Sequence, residues 1–363
     1  MRRNYTTDAV REPKFEKQRT KHISKQIRMC IFFLGTTLCS FPLFSSPLFN
    51  IPLPQFSLSP FTEIVYGESF EYVYTSDKIL SELVWDMKPL YFLGLEAGLE
   101  WKKGLSLNVE ASFGLPMVTG LMEDSDWFNL FQDIDTGKTH FSRHAAKLEY
   151  ATVLSCSAGW IFSTKDKNTG VVTFTPSIGY KYFSWKWNAV DGYIQHNSAI
   201  GGIYTEWEES QTKVHAYGVG ISYQQQFYIP TIGVSSSFSP NNKIKTELGI
   251  TFSPLVYSYN IDHHFYPTSG HDYRESTMWT EYHDILTDGI FFEPSIAVTW
   301  SVSNKVCLFF NARKTLISSL RGTTGEIKSG SSYVSWTYKE DGNGSGTALN
   351  TTNFRLGCVL LYK

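Results

Sequence analysis

The chain has 363 residues, of which 18% are charged and 16% aromatic, with 26 Phe, 21 Tyr and 10 Trp. Few charges and many aromatics exclude a disordered chain, and a formal net charge of −2 gives no reason to expect a nucleic-acid partner. Five cysteines without a CxxC or Cys/His spacing provide neither a disulfide framework nor a zinc site. The mean hydropathy of −0.20 excludes a polytopic helical membrane protein. It suits a transmembrane β-barrel, in which lipid-facing and lumen-facing residues average out.

Residues 1–28 carry nine Lys or Arg against three acids, and Met29 to Phe44 are apolar. That run is shorter than the about 18 to 20 residues a spanning helix needs, and Pro42 interrupts it. A basic segment before a short apolar run reads as an export signal over 1–45 with a long basic region, leaving 46–363 as one domain. A membrane anchor or a disordered tail is the alternative. Without residues 1–45 the chain keeps 23 of its 32 basic and 31 of its 34 acidic residues, a net of −8. Cys156, Cys307 and Cys358 then remain, and we read them as small apolar packers.

Period-two alternation runs through the rest. In 105–117 the odd residues Leu105, Leu107, Val109 and Phe113 are apolar and the even Ser106, Asn108, Glu110 and Ser112 polar. The pattern predicts ten strands, at 58–75, 79–100, 104–124, 144–164, 169–189, 211–238, 243–264, 272–302, 304–321 and 350–363. Short turns alternate with long polar connections at 124–144, 190–210 and 322–349. This is the layout of an all-β, ten-stranded antiparallel transmembrane barrel with its long loops outside. Strands of about twenty residues exceed the ~9 to 11 that cross a bilayer, so the barrel should stand above the outer membrane. A secreted β-sandwich is the rival reading, and would need shorter strands and two polar outer faces.

Two pairs of residues fall at outer strand ends. Asp124 and Asp126 continue the third strand on its polar, lumen face, since residues i and i+2 point the same way. Two such close carboxylates repel, which raises one pKa and favours proton handling. Asp262 and His264 share a face on the seventh strand. There the apolar positions switch from even (Leu248, Ile250, Phe252) to odd (Leu255, Tyr257, Tyr259, Ile261), and Ser253-Pro254 marks the bulge that makes the switch. With that switch Asn260, Asp262 and His264 face inward. His263 and His264 point apart, so they cannot share a metal. Taken singly, each pair also reads as a polar rim. Taken together across the mouth, a carboxylate-oriented histidine facing two carboxylates can activate a water for peptide hydrolysis.

Gly67 to Tyr74, Met122 to Trp127, Ser142-Arg143-His144, Phe227 to Gly233 and Asp262 to His264, in this order and spacing, resemble the omptins, outer-membrane aspartate/histidine endopeptidases built as ten-stranded barrels. The resemblance covers essentially the whole chain after the signal. It implies an outer-membrane site facing outside, no cofactor, peptide or protein substrates, contact with outer-membrane lipid and a monomer. It also implies roles. His264 with Asp262 activates the water, while Asp124 and Asp126 position it and stabilise the oxyanion. Ser142 and His144 stand behind them. Pairing of Ser142 with His144 as nucleophile and base is not expected, because residues two apart on a strand rarely align. Glu71 matches the floor acid of the pocket before the cut, and strand parity also turns it inward. Met122 and Ile221 match apolar pocket walls. Asn260 stands where a second acid is expected, and His140 where the following pocket would have one. A basic residue should therefore still be preferred before the cut, with the residue after it free to differ. Tyr180 matches an aromatic that binds lipopolysaccharide, but Ser184 and Gln226 stand at the basic positions. Lipopolysaccharide dependence stays open, and Trp185, Lys186 and Trp187 offer a different interfacial belt. A catalytically silent barrel, acting as adhesin or structural protein, is the second function these residues allow; a diffusion pore is a third and weaker one, because ten strands leave a narrow lumen.

Overall fold

Alternating apolar and polar residues let a strand bury one face and offer the other to lipid, and this chain does so in nearly every strand. The computed structural model describes residues 54–102, 104–166, 170–196, 199–241, 243–331 and 333–362; the expected export signal lies outside them. The strands are β1 (Gln55–Thr75), β2 (Lys78–Glu100), β3 (Leu105–Gly114), β4 (Val118–Asp126), β5 (His140–Trp160), β6 (Phe162–Asp166), β7 (Gly170–His196), β8 (Val214–Ser239), β9 (Ile244–Phe265), β10 (Trp279–Ser301), β11 (Val306–Lys328), β12 (Ser335–Thr337) and β13 (Gly344–Tyr362). Each pairs antiparallel with its neighbours, and β13 returns to β1, closing the ring. β3 and β4 together form one stave, since both lie between β2 and β5. The ring therefore has ten staves, with β6 added beside β7 and β12 beside β11.

Several predicted boundaries shift, and β7 and β11 each run seven residues further than expected, to His196 and Lys328. The third stave breaks between Gly114 and Val118, where Pro116 has no N–H for a ladder. β5 starts at His140, earlier than expected, because it pairs with the Asp-rich end of β4. β13 starts at Gly344, where Gly344, Ser345 and Gly346 already pair with β1. β10 begins later than expected, at Trp279.

The face switch in β9 falls where proline placed it. Leu248 and Ile250 are exposed below the break, Pro254 and Leu255 are exposed in succession, and Tyr257 continues on the odd phase. Ser253 Oγ sits 3.1 Å from the Leu255 amide and accepts its hydrogen bond, which fixes the bulge. Above it Ser258, Asn260 and Asp262 are buried on the lumen side.

The lower lumen is filled by ion pairs. Glu63 contacts Arg313 at 2.7 Å and Arg355 at 2.8 Å, and Arg355 also hydrogen-bonds Glu110. Lys181 pairs with Glu293 at 2.6 Å. These largely buried groups form a plug of charge in the lower lumen. Trp185 and Trp187, expected in a lipid-facing belt, are instead buried in the lumen. Val172, Phe174, Ile178 and Tyr180 point outward from even positions of β7, so odd residues must point in. The outer girdle is built of tyrosines: Tyr182 packs on Tyr228 (5.1 Å between rings) and Tyr228 on Tyr257 (5.5 Å).

Removing Arg355 leaves two buried carboxylates, Glu63 and Glu110, to share Arg313 alone. We expect Arg355→Ala to cost about 3–5 kcal/mol in urea unfolding of the micelle-embedded barrel. Lys305→Ala, at an exposed position, should stay within about 0.5 kcal/mol. Equal midpoints for the two variants would refute the structural role of the plug.

Candidate active site at the barrel mouth

Above the plug the lumen is crossed by a layer of large side chains. Trp85 on β2 stacks on Trp187 of β7 at 5.9 Å and on Tyr223 of β8 at 5.8 Å, and all three are fully buried. Met122 is fully buried and lies opposite Trp85 in the β2–β4 ladder, while Ile221 lies opposite His264 in the β8–β9 ladder. Gln225 closes the floor: its Oε1 accepts hydrogen bonds from Ser69 Oγ (2.7 Å) and Trp185 Nε1 (2.5 Å), and its Nε2 bonds Thr347. Four staves are tied together by that one amide.

The acids stand on this floor. Glu71, Leu83, Asp124 and Ser142 share one rung through β1, β2, β4 and β5. Asp126 lies one rung higher, opposite Ser81, and Ser81 Oγ donates to Asp124 Oδ1 at 3.2 Å. On the facing wall His264 Nε2 is hydrogen-bonded to Asp262 Oδ2. This fixes the tautomer: Nε2–H points at the carboxylate, and Nδ1 is left as the basic nitrogen. The His264 ring meets Tyr282 edge-on at 5.5 Å.

The two pairs sense each other electrostatically. Burial pushes Asp124 up to about 6, and the charge of His264 is the strongest influence pulling it down. Burial and then the charge of Asp124 raise Asp126 well above the usual carboxylate range, against a lowering hydrogen bond from Ser81. Both carboxylates are thus harder to ionise than usual, Asp126 through the repulsion of Asp124 as well as through burial. Burial pulls His264 down, but the charge and hydrogen bond of Asp262, with the charge of Asp124, leave it raised.

Ser142 and His144 lie beside this site and do meet: His144 Nε2 is 3.1 Å from Ser142 Oγ. His144 Nδ1 donates to the Asp191 backbone oxygen, so Nε2 accepts from the serine, and burial lowers the ring's pKa and keeps it neutral. The alignment not expected of residues two apart is therefore made, with a backbone carbonyl behind the histidine in place of a carboxylate. Asn260 is fully buried, and its amide is occupied by Tyr223 (Nδ2 to Oη, 2.9 Å) and Ser258 (Oγ to Oδ1, 2.8 Å). It supports Tyr223 from below the site. Glu71 is 3% exposed and lies close to Asp262.

The sequence did not mark Ser81, Trp85, Trp187, Tyr223, Gln225 or Asp284. Asp284 is 2% exposed on β10, directly opposite Asn260. Its inward direction had a signal: Asp288-Gly289, a turn dipeptide inside a strand, where Asp288 has φ of 68°. The even residues of β10 face lipid below that point and the lumen above it.

Fold and cleft define an outer-membrane β-barrel with an acid–histidine site at its outer mouth. Residues 54–362 match the omptin family, and the chain belongs to it. The plasminogen activator of Yersinia pestis is 25% identical over 247 residues, 67% of this chain and 73% of that protein. The outer membrane protease OmpT of Escherichia coli shares the fold with a TM-score of 0.72 at 16% identity, over 88% of this chain and 100% of that one. The protein is an outer-membrane β-barrel protease with its site on the cell surface.

Because Asp262 is the main group holding His264 up, Asp262→Asn should lower the His264 titration midpoint. In NMR titration of micelle-embedded protein the wild-type ring is expected above 6.5, with its neutral form appearing only at higher pH. A midpoint unmoved by Asp262→Asn would contradict the couple.

Proposed function

We propose that the protein is an endopeptidase in which His264 and Asp262 activate a water against a peptide bond held over Asp124 and Asp126. The opposition of these two pairs across one aromatic floor carries the reading. His264 Nδ1 takes a proton from the water, and Asp262 stabilises the resulting imidazolium. Asp124, ionised near neutrality, accepts the water's other hydrogen bond. Asp126 keeps its proton and donates it toward the developing oxyanion. The tetrahedral intermediate collapses as His264 returns the proton to the leaving amine.

A basic side chain before the cut is supported by Glu71 beneath Asp262. The residue after the cut is met by different chemistry. His140, opposite Asp126, is stacked among Phe128 (4.6 Å), Tyr204 (4.6 Å) and His196 (5.0 Å), and burial with the nearby His196 lowers it to about 4. Phe128, Phe131, Ala199 and Tyr204 line a neighbouring cavity of about 360 Å³. This wall is neutral and aromatic, and suits an apolar residue.

The Ser142–His144 hydrogen bond gives a second reading, with Ser142 as nucleophile. Quenched fluorescent peptides separate the two, in detergent with and without lipopolysaccharide. His264→Ala and Asp124→Ala should each lose at least about a hundredfold in kcat/KM, while Ser142→Ala stays within about tenfold, the worth of one hydrogen bond. An Arg-Ala or Arg-Phe bond should be cut as well as Arg-Arg. Abolition by Ser142→Ala alone would favour the serine reading, and strict Arg-Arg dependence would overturn the apolar second pocket. No turnover under any lipid condition would leave a silent barrel.

A further inference from the structure

Every strongly buried carboxylate of the lower lumen has a cation. Glu63 has Arg313 and Arg355, Glu110 has both arginines, and Glu293 has Lys181. The upper lumen breaks this rule. Among the described residues neither Glu71 nor Asp284 forms an ion pair, although they are only 3% and 2% exposed. Glu71 Oε2 and the adjoining Asp262 Oδ1 are buried without a hydrogen-bond partner. Asp284 is held by hydroxyl groups alone: Thr324 Oγ1 donates to its Oδ1 at 2.8 Å, and Ser345 bonds it as well. Unpaired buried carboxylates are costly, and a chain that pairs them elsewhere has left this position for a visitor.

We propose that Asp284 is a specificity-determining residue, supplying with Glu71 the paired negative charge that selects an Arg or Lys side chain before the scissile bond. The proposal rests on the reading of Asp262 and His264 as the hydrolytic couple. Asn260 stands where the resemblance places a second acid, and its side chain is committed to Tyr223 and Ser258. Asp284 is its direct cross-strand partner in the β9–β10 ladder. The charge has moved sideways by one strand, about 5 Å, and remains on the lumen face at the same height. Electrostatics agree. Burial and the charges of Asp262, Asp284 and Asp124 push Glu71 well up, and burial raises Asp284 to about 6. An entering guanidinium would reverse both shifts, so binding of a basic side chain should release protons.

Peptides that differ only in the residue before the cut, Arg against its uncharged isostere citrulline, test this directly. Asp284→Asn keeps the acceptor for Thr324 and removes the charge. It should lower kcat/KM for the Arg peptide by about ten- to a hundredfold and leave the citrulline peptide within about twofold. Asn260→Asp added to Asp284→Asn should restore much of the Arg preference. Equal losses on both peptides, or an unchanged Arg rate, would overturn the assignment. Equilibrium binding of the same two peptides to His264→Ala, followed by fluorescence anisotropy, reads the pocket without turnover. Discrimination present in His264→Ala and lost in His264→Ala/Asp284→Asn supports the pocket even if the proposed hydrolytic couple fails. Equal affinities in His264→Ala overturn the pocket even if the couple stands.

Discussion

A carboxylate inside a barrel must find a partner, shed its charge or face water, and this protein uses all three in vertical order. In the lower lumen Glu63, Glu110 and Glu293 are locked to Arg313, Arg355 and Lys181. At the mouth burial and the charge of Asp124 raise Asp126, burial pushes Asp124 up to about 6, and Asp262 is hydrogen-bonded to His264. The plug and the site are two answers to one electrostatic problem. The first spends its charges on rigidity, and the second keeps them available for chemistry.

Between them lies the layer that makes the second answer workable. Trp85, Trp187 and Tyr223 form a dry floor, and Gln225 ties β1, β7, β8 and β13 across it. A flexible floor would let water reach the acids from below and level their pKa values. The burial that raises Asp124 and Asp126 is a property of this floor as much as of their own strand. Side chains on ladder rungs also inherit the stiffness of the sheet, so the spacing of these acids does not depend on a mobile loop.

The legibility of the sequence followed the reach of strand parity. Ten staves, the inward Glu71, the Asp124/Asp126 pair and the proline-driven switch that turns Asp262 and His264 inward all come from counting in twos. Parity was equally able to show that Trp185 and Trp187 point inward, since Tyr180 points out from the same strand; their composition suggested a lipid belt, and composition was the weaker guide. Asp284 was hidden because the β10 switch rests on Asp288-Gly289, a subtler break than a proline. Cross-lumen partners such as Ser69 and Gln225, 156 residues apart, carry no local signal at all. The family resemblance supplied roles for Ser142, His144, Asp124, Asp126, Asp262 and His264, but it directed attention to Asn260, one strand away from Asp284.

That displacement illustrates how a pocket can change its parts and keep its field. A side chain entering between β1, β8, β9 and β10 experiences summed potential, and contributions from neighbouring strands at one height differ little at that distance. Moving a carboxylate from β9 to β10 preserves the charge while freeing residue 260 to brace Tyr223, and thereby the floor under Asp262. Asp284 is held by two hydroxyls, of Thr324 on β11 and Ser345 on β13, so its orientation is set from outside β9. The β9–β10 ladder, with Asp262 opposite Tyr282 and Asn260 opposite Asp284, is the joint that keeps Asp284 in register with Asp262 and His264.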